Sequence, residues 1–201
     1  MQEQNAATYW SSRLNAIAVR FFPDPLSVLL SDEDAPSDRL VSSDCLVLSD
    51  RLAEWDQQCL TFLSLPEDHG FRPFLAGGEE DYDEDNSAYS DFCRKRQLTN
   101  ARILYTRLMA EKSSALRLLP QNTEQFLSLF SDCPGALPLL GEISSHAAAT
   151  ATLYREAGLL SPDNLPRILD LLSPARVELR SALLSAAKAG SSHSFLDSLS
   201  L

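Results

Sequence analysis

Asp81, Asp83 and Asp85 alternate as the first ligands of a calcium loop do. Such a loop needs Gly at its sixth position for a sharp turn and Glu at its twelfth for bidentate closure. Those positions hold Asn86 and Phe92, so no metal site and no cofactor are expected. What remains is charge density. Glu79, Glu80, Asp81, Asp83, Glu84 and Asp85 place six carboxylates within seven residues. Such a surface can capture a basic partner quickly, or stand in for phosphates as a nucleic-acid mimic. These six residues are the expected partner-binding site, against the plainer reading of an acidic stretch that keeps the chain soluble.

The other reactive side chains form no catalytic pattern. His69, His146 and His193 are scattered, without the spacing of a zinc-binding helix or a serine elbow. His146 reads as a histidine at the core edge of a helix. Cys93 adjoins Arg94 and Lys95, a setting that can favour thiolate, but no placed base accompanies it. Gly77-Gly78 lies among acids that repel phosphate. No catalytic residue is therefore assigned, and the chain is read as a non-enzyme. Arg94-Lys95-Arg96 is a short basic cluster only nine residues beyond the acidic run. Internal matching of the two charges is expected rather than direct nucleic-acid binding.

The elements that would position these groups are helical. Leu and Ala dominate the apolar residues, Ile and Val are scarce, and there are only 7 Gly among 201 residues; this balance favours helix over sheet. The expected fold is mainly α, a single domain over 1–201 of about six or seven helices. A subdivision into 1–119, 120–190 and a tail at 191–201 is the alternative. Apolar spacing predicts a helix over 6–22, ended by Pro23 and Pro25. Residues 26–30 and 45–48 are short apolar runs, each compatible with coil or with one strand of a small two-stranded β element within 26–48. A helix over 49–65 carries Leu52, Trp55, Cys59 and Phe62 on one face, with Ser49 as its cap and Pro66 as its stop.

Residues 66–90 hold eight acidic residues against Arg72, with Gly70, Pro73, Gly77 and Gly78 as breakers, and are read as a loop. Phe71, Phe74 and Leu75 are its expected anchors on the core. Residues 91–119 reverse the sign, with seven basic residues against Asp91 and Glu111. A central helix over 91–115 is expected there, its buried face formed by Leu98, Ala101, Leu104, Tyr105 and Leu108. Beyond Pro120, Asn122 and Gln125 suggest a capping box. One helix is expected over 138–157, stopped at Gly158. Ser161-Pro162 and Ser173-Pro174 each announce a helix start, the second helix closing at Gly190.

The formal net charge of −11 disfavours contact with nucleic acid and anionic lipid. Cys45, Cys59, Cys93 and Cys133 are far apart, as suits buried thiols in a reducing compartment. The N-terminal residues lack a secretion-signal pattern, and no apolar run has a membrane-spanning length. A cytoplasmic protein is expected.

One stretch resembles a known pattern. The run Leu46-Val47-Leu48-Ser49-Asp50-Arg51-Leu52-Ala53-Glu54-Trp55-Asp56, then Gly70-Phe71, Phe92, and Leu98 through Arg107-Leu108-Met109-Ala110-Glu111, resembles small uncharacterised bacterial accessory or immunity-type proteins. The resemblance covers residues 46–111; a Gly of that pattern near Gln97 is absent, and no functional residue carries over. It implies a bacterial cytoplasmic binding protein. Together with the charge, it leads to the expectation of a non-enzymatic protein that binds a basic protein partner, as a toxin-neutralising immunity protein does. A subunit of a larger assembly, or a small-ligand protein with a pocket between helices near His146 or Tyr154, are the alternatives.

Overall fold

The computed structural model describes residues 2–22, 42–71, 82–113, 116–117 and 120–197. Eight helices and no strand occur among the described residues. They fall into two compact units, Met1–Leu119 and Pro120–Leu201.

In the first unit, α1 (Gln2–Phe21), α2 (Ser42–Leu63) and α3 (Tyr82–Ala110) pack around Trp55, which is fully buried. Trp10, Leu14, Ile17 and Ala18 form the buried stripe of α1. Phe22 meets Trp55 edge-on, with ring centroids 5.2 Å apart, and Trp55 Nε1 donates to the Leu14 carbonyl at 3.2 Å. Aromatic burial of this kind dominates the energetics of a small helical core.

The helix expected over 49–65 begins earlier, at Ser42, so residues 45–48 are helical and not a strand. The reason is visible in the spacing. Leu48 continues the Leu52, Trp55, Cys59, Phe62 series at alternating steps of four and three, and Ser42 to Asp44 suit a helix start. An isolated four-residue strand has no partner to pair its backbone. The other half of the expected ribbon, 26–30, lies outside the described residues.

α3 also starts early, at Tyr82 instead of Asp91, and runs 29 residues. Asp83, Glu84 and Asp85, expected in a loop, occupy its first turn, where the helix macrodipole favours negative charge. Its far half is enclosed and not one-faced: of residues 101–110 all but Arg102 are buried. Between α2 and α3, Gly70 takes a positive φ of 87°, which glycine adopts without strain. Phe71 then docks on Tyr89 and Phe92, at 5.1 and 5.3 Å between centroids. The other two expected anchors, Phe74 and Leu75, lie outside the described residues.

The second unit holds α4 (Pro120–Asp132), α5 (Ala136–Leu139), α6 (Ala147–Glu156), α7 (Asn164–Leu171) and α8 (Val177–Asp197). Pro120 opens α4, so Asn122 sits inside the helix and not at its cap. The single helix expected over 138–157 is two helices. Gly141 lies where an added Cβ would stand 3.2 Å from the Pro138 carbonyl oxygen, and residues 143–146 run without helical structure before α6.

α6 and α8 pack together. Tyr154 Oη donates to the Ala136 carbonyl at 2.5 Å, while its ring meets Phe130 edge-on. The helix expected to start at Ser161-Pro162 begins later, as α7 at Asn164, and the preceding turn is closed by Ser161 Oγ accepting from the Asn164 N–H at 3.2 Å. α8 continues through Gly190 to Asp197, because one glycine costs a helix only about 1 kcal/mol.

Candidate functional site

The six carboxylates of the expected site divide in two. Glu79, Glu80 and Asp81 lie outside the described residues. Asp83, Glu84 and Asp85 form the first turn of α3. A helix rises about 1.5 Å per residue, so the basic cluster on the same helix begins about 13 Å further along its axis, at Arg94. The acids of the first turn and the basic cluster at the middle of α3 thus stand apart along one helix.

The basic residues have partners elsewhere. Arg94 pairs with Asp91 on the exposed face, Nη2 to Oδ1 at 2.9 Å. Arg96 lies over the Phe62 ring, its guanidinium carbon 3.7 Å from the centroid, and donates from Nη2 to the Phe62 carbonyl at 2.9 Å. It thereby caps the last turn of α2, where a cation also suits the helix dipole. Its partial burial lowers its pKa from the usual arginine range.

Arg107 departs furthest from a basic surface helix. Its side chain is 0% exposed and that of its partner Asp56 only 6%. Nε donates to Asp56 Oδ1 at 2.6 Å, Nη2 to Oδ2 at 3.1 Å, and Nη1 to the Leu116 carbonyl at 2.8 Å. Burial pushes the Asp56 carboxyl up, and the hydrogen bonds and charge of Arg107 pull it back. Cys59, one turn further along α2, is fully buried as a free thiol. Burial first, then the Asp56 charge, raise its pKa well above 9.0, so it behaves as an inert apolar group.

Sequence reasoning counted Arg107 with the basic face and gave Asp56 no role. A signal existed. Arg107 falls in a run of mostly apolar residues at 103–110, and Asp56 follows Trp55 within the apolar stripe of α2. Charges so placed are buried only as pairs.

In the second unit a half-open cleft of about 410 Å³ is lined by residues 143–147 and 175–179. Both α6 and α8 begin at it. Ser144, Ser145, His146, Arg176 and Glu178 supply its polar groups, and Arg176 donates to the Ile143 carbonyl. His146 is not at the core edge of a helix. It is exposed, in the left-handed conformation at φ 60°, and precedes the first residue of α6. The cleft can admit a small polar molecule. Cys93 and Cys133 are half-buried and not in disulfides. Among the described residues no group of three metal-ligating side chains occurs, and no helix is long and apolar enough to cross a membrane.

Comparison with protein families, curated proteins and solved structures returns no match for this chain.

Proposed function

We propose that this chain is a non-catalytic protein-binding protein that engages a basic partner through the acidic start of α3, in the manner of a toxin-neutralising immunity protein. The observation that carries this reading is the separation of charge along α3. Asp83, Glu84 and Asp85 stand at its first turn, while Arg94, Arg96 and Arg107 are engaged by Asp91, Phe62 and Asp56. The acidic end is thus not neutralised by these three arginines, and with Glu79, Glu80 and Asp81 it concentrates negative charge on a chain of net −11. Such a field speeds the capture of a cationic surface and weakens with salt. The resemblance over 46–111 points the same way, and a cytoplasmic site of action follows from the same reading.

The test is to immobilise the full chain, elute bound proteins of the source cell with a salt gradient, and measure the association rate of each. Neutralising Asp81, Asp83, Glu84 and Asp85 as Asn or Gln should slow association at low salt by about tenfold or more and flatten its salt dependence. A partner that binds the neutralised chain at an unchanged rate and salt slope removes the acidic mechanism.

A second reading, a small-ligand protein, is favoured by the cleft beside His146. Ligand-observed NMR with a panel of small polar metabolites addresses it. Binding that is abolished by Val177→Trp, which fills the cleft from an exposed position, would support this reading over the first.

A further inference from the structure

Three aromatic rings of the first unit each carry an arginine of their own chain. Arg13 lies over Tyr9 at 4.8 Å, Arg20 over Phe21 at 5.1 Å and Arg96 over Phe62 at 3.7 Å, measured to the ring centroid. Tyr89 of α3 is different. It is 42% exposed, and among the described residues no arginine covers its ring. Phe71 holds that ring edge-on and is itself packed on Phe92.

The charge around Tyr89 is negative. Its hydroxyl pKa is raised from the usual value, first by the hydrogen bond with Cys93 and then by the charges of Asp68 and Glu67. Both of these carboxylates are exposed, and the Gln97 amide fixes one of them, Nε2 donating to Glu67 Oε2 at 2.9 Å. Asp85, in the acidic first turn of α3, lies four residues before Tyr89, about one helical turn. Arg94 and Lys95 follow Tyr89 by five and six residues. That places them about 140° and about 240° round the helix from it, so this face keeps its negative charge.

We propose that Tyr89, braced by Phe71 and flanked by Glu67 and Asp68, seats an arginine side chain of the basic protein partner. Tyr89 is then the anchor of the acidic surface, and its role rests on that reading of the function. The match is one of charge and shape. A guanidinium is flat, so it stacks on an aromatic face while its N–H groups reach oxygen acceptors at the edge of the ring. Arg96 combines the same two contacts within the molecule, stacking on Phe62 and donating to the Phe62 carbonyl. A lysine ammonium supplies the charge without the flat face. Because Phe71 already holds the Tyr89 ring, little side-chain freedom is lost on binding. The carboxylates then govern how fast the partner arrives, and the ring governs how long it stays.

The probe is fluorescein-labelled nona-arginine, titrated with the full chain at low salt, with nona-lysine as the charge-matched comparison. Nona-arginine should bind the more tightly. Tyr89→Leu should weaken it about two- to fivefold, the share of one exposed cation–π contact, mainly through faster dissociation. Tyr89→Phe keeps the ring and should keep the affinity. Glu67→Gln with Asp68→Asn should weaken binding and reduce its salt dependence. NMR of the wild-type chain labelled in its tyrosine rings gives a readout that needs no variant: the Tyr89 ring signals should shift on adding nona-arginine. Equal affinity of the wild type and Tyr89→Leu, together with weaker binding once Asp83, Glu84 and Asp85 are neutralised, overturns the arginine seat and leaves the acidic mechanism standing. A wild-type chain that does not bind nona-arginine at low salt overturns both.

Discussion

Asp56→Asn leaves a guanidinium buried without its counter-charge, and its cost can be set against the stability of the unit that holds it. Breaking one side of a buried pair costs about 3–5 kcal/mol. The Arg107 side chain is fully buried, so solvent screening does not reduce that figure. A domain of this size has about 5–15 kcal/mol in total, so the variant should retain a fold with a much lower unfolding midpoint.

Asp56→Leu combined with Arg107→Met should come within about 3 kcal/mol of the wild type. Apolar replacement of such a pair ranges from neutral to about 4 kcal/mol stabilising, and the Leu116 carbonyl left without its donor returns about 1–3 kcal/mol of cost. Arg107→Met alone behaves differently, because a lone buried carboxyl can take a proton. Its folded pKa is raised above the usual 3.8 by burial, and the loss of Arg107 removes what lowered it. The folded state then holds a proton that the unfolded chain releases, so stability falls as pH rises above about 4. The variant should be less damaged at pH 5 than at pH 7.

Urea unfolding followed by tryptophan emission is the assay, since both tryptophans, Trp10 and Trp55, lie in the first unit. An Asp56→Asn cost under about 1 kcal/mol would refute the reasoning, since it falls far below the cost of an uncompensated buried charge. A double variant as unstable as Asp56→Asn would do the same.

Two further outcomes follow from single side chains. Cys59 stays protonated in the folded state well above pH 9.0, while the unfolded thiol ionises near its ordinary value. The first unit should therefore lose up to about 1.4 kcal/mol per pH unit from this group above pH 9. Cys59→Ala should flatten the alkaline limb of the tryptophan-detected stability curve, and an unchanged slope would exclude this linkage. Gly158 follows α6 with φ 70°, and the Leu159 N–H reaches back to the Tyr154 carbonyl at 2.9 Å. Gly158→Ala should cost about 1–2 kcal/mol for a left-handed alanine, read as a lower far-UV melting midpoint. There is open space around the position, so no clash confuses the result.

Helical class, most helix stops and the partition of charge were legible in the chain. Leu and Ala at steps of three and four specify helices whatever they pack on, and Ser161-Pro162 marks the turn that leads into α7, closed by a local hydrogen bond. The boundaries read less well. Residues 45–48 could be helix or strand until their phase joined that of Leu52 and Trp55. Asp83, Glu84 and Asp85 read as a loop although acids also favour a helix start. The acidic cluster was visible because it is contiguous.

Tertiary structure alone decided which charges face solvent. Arg94, Arg96 and Arg107 look alike in sequence, yet one pairs on the surface, one caps α2 and one is buried. The distinction depends on Asp56 and Phe62, more than thirty residues away along the chain. Local propensity and charge are properties of neighbours in sequence. Burial and pairing are properties of neighbours in space, and for Arg96 and Arg107 only the packing of α2 against α3 supplies them.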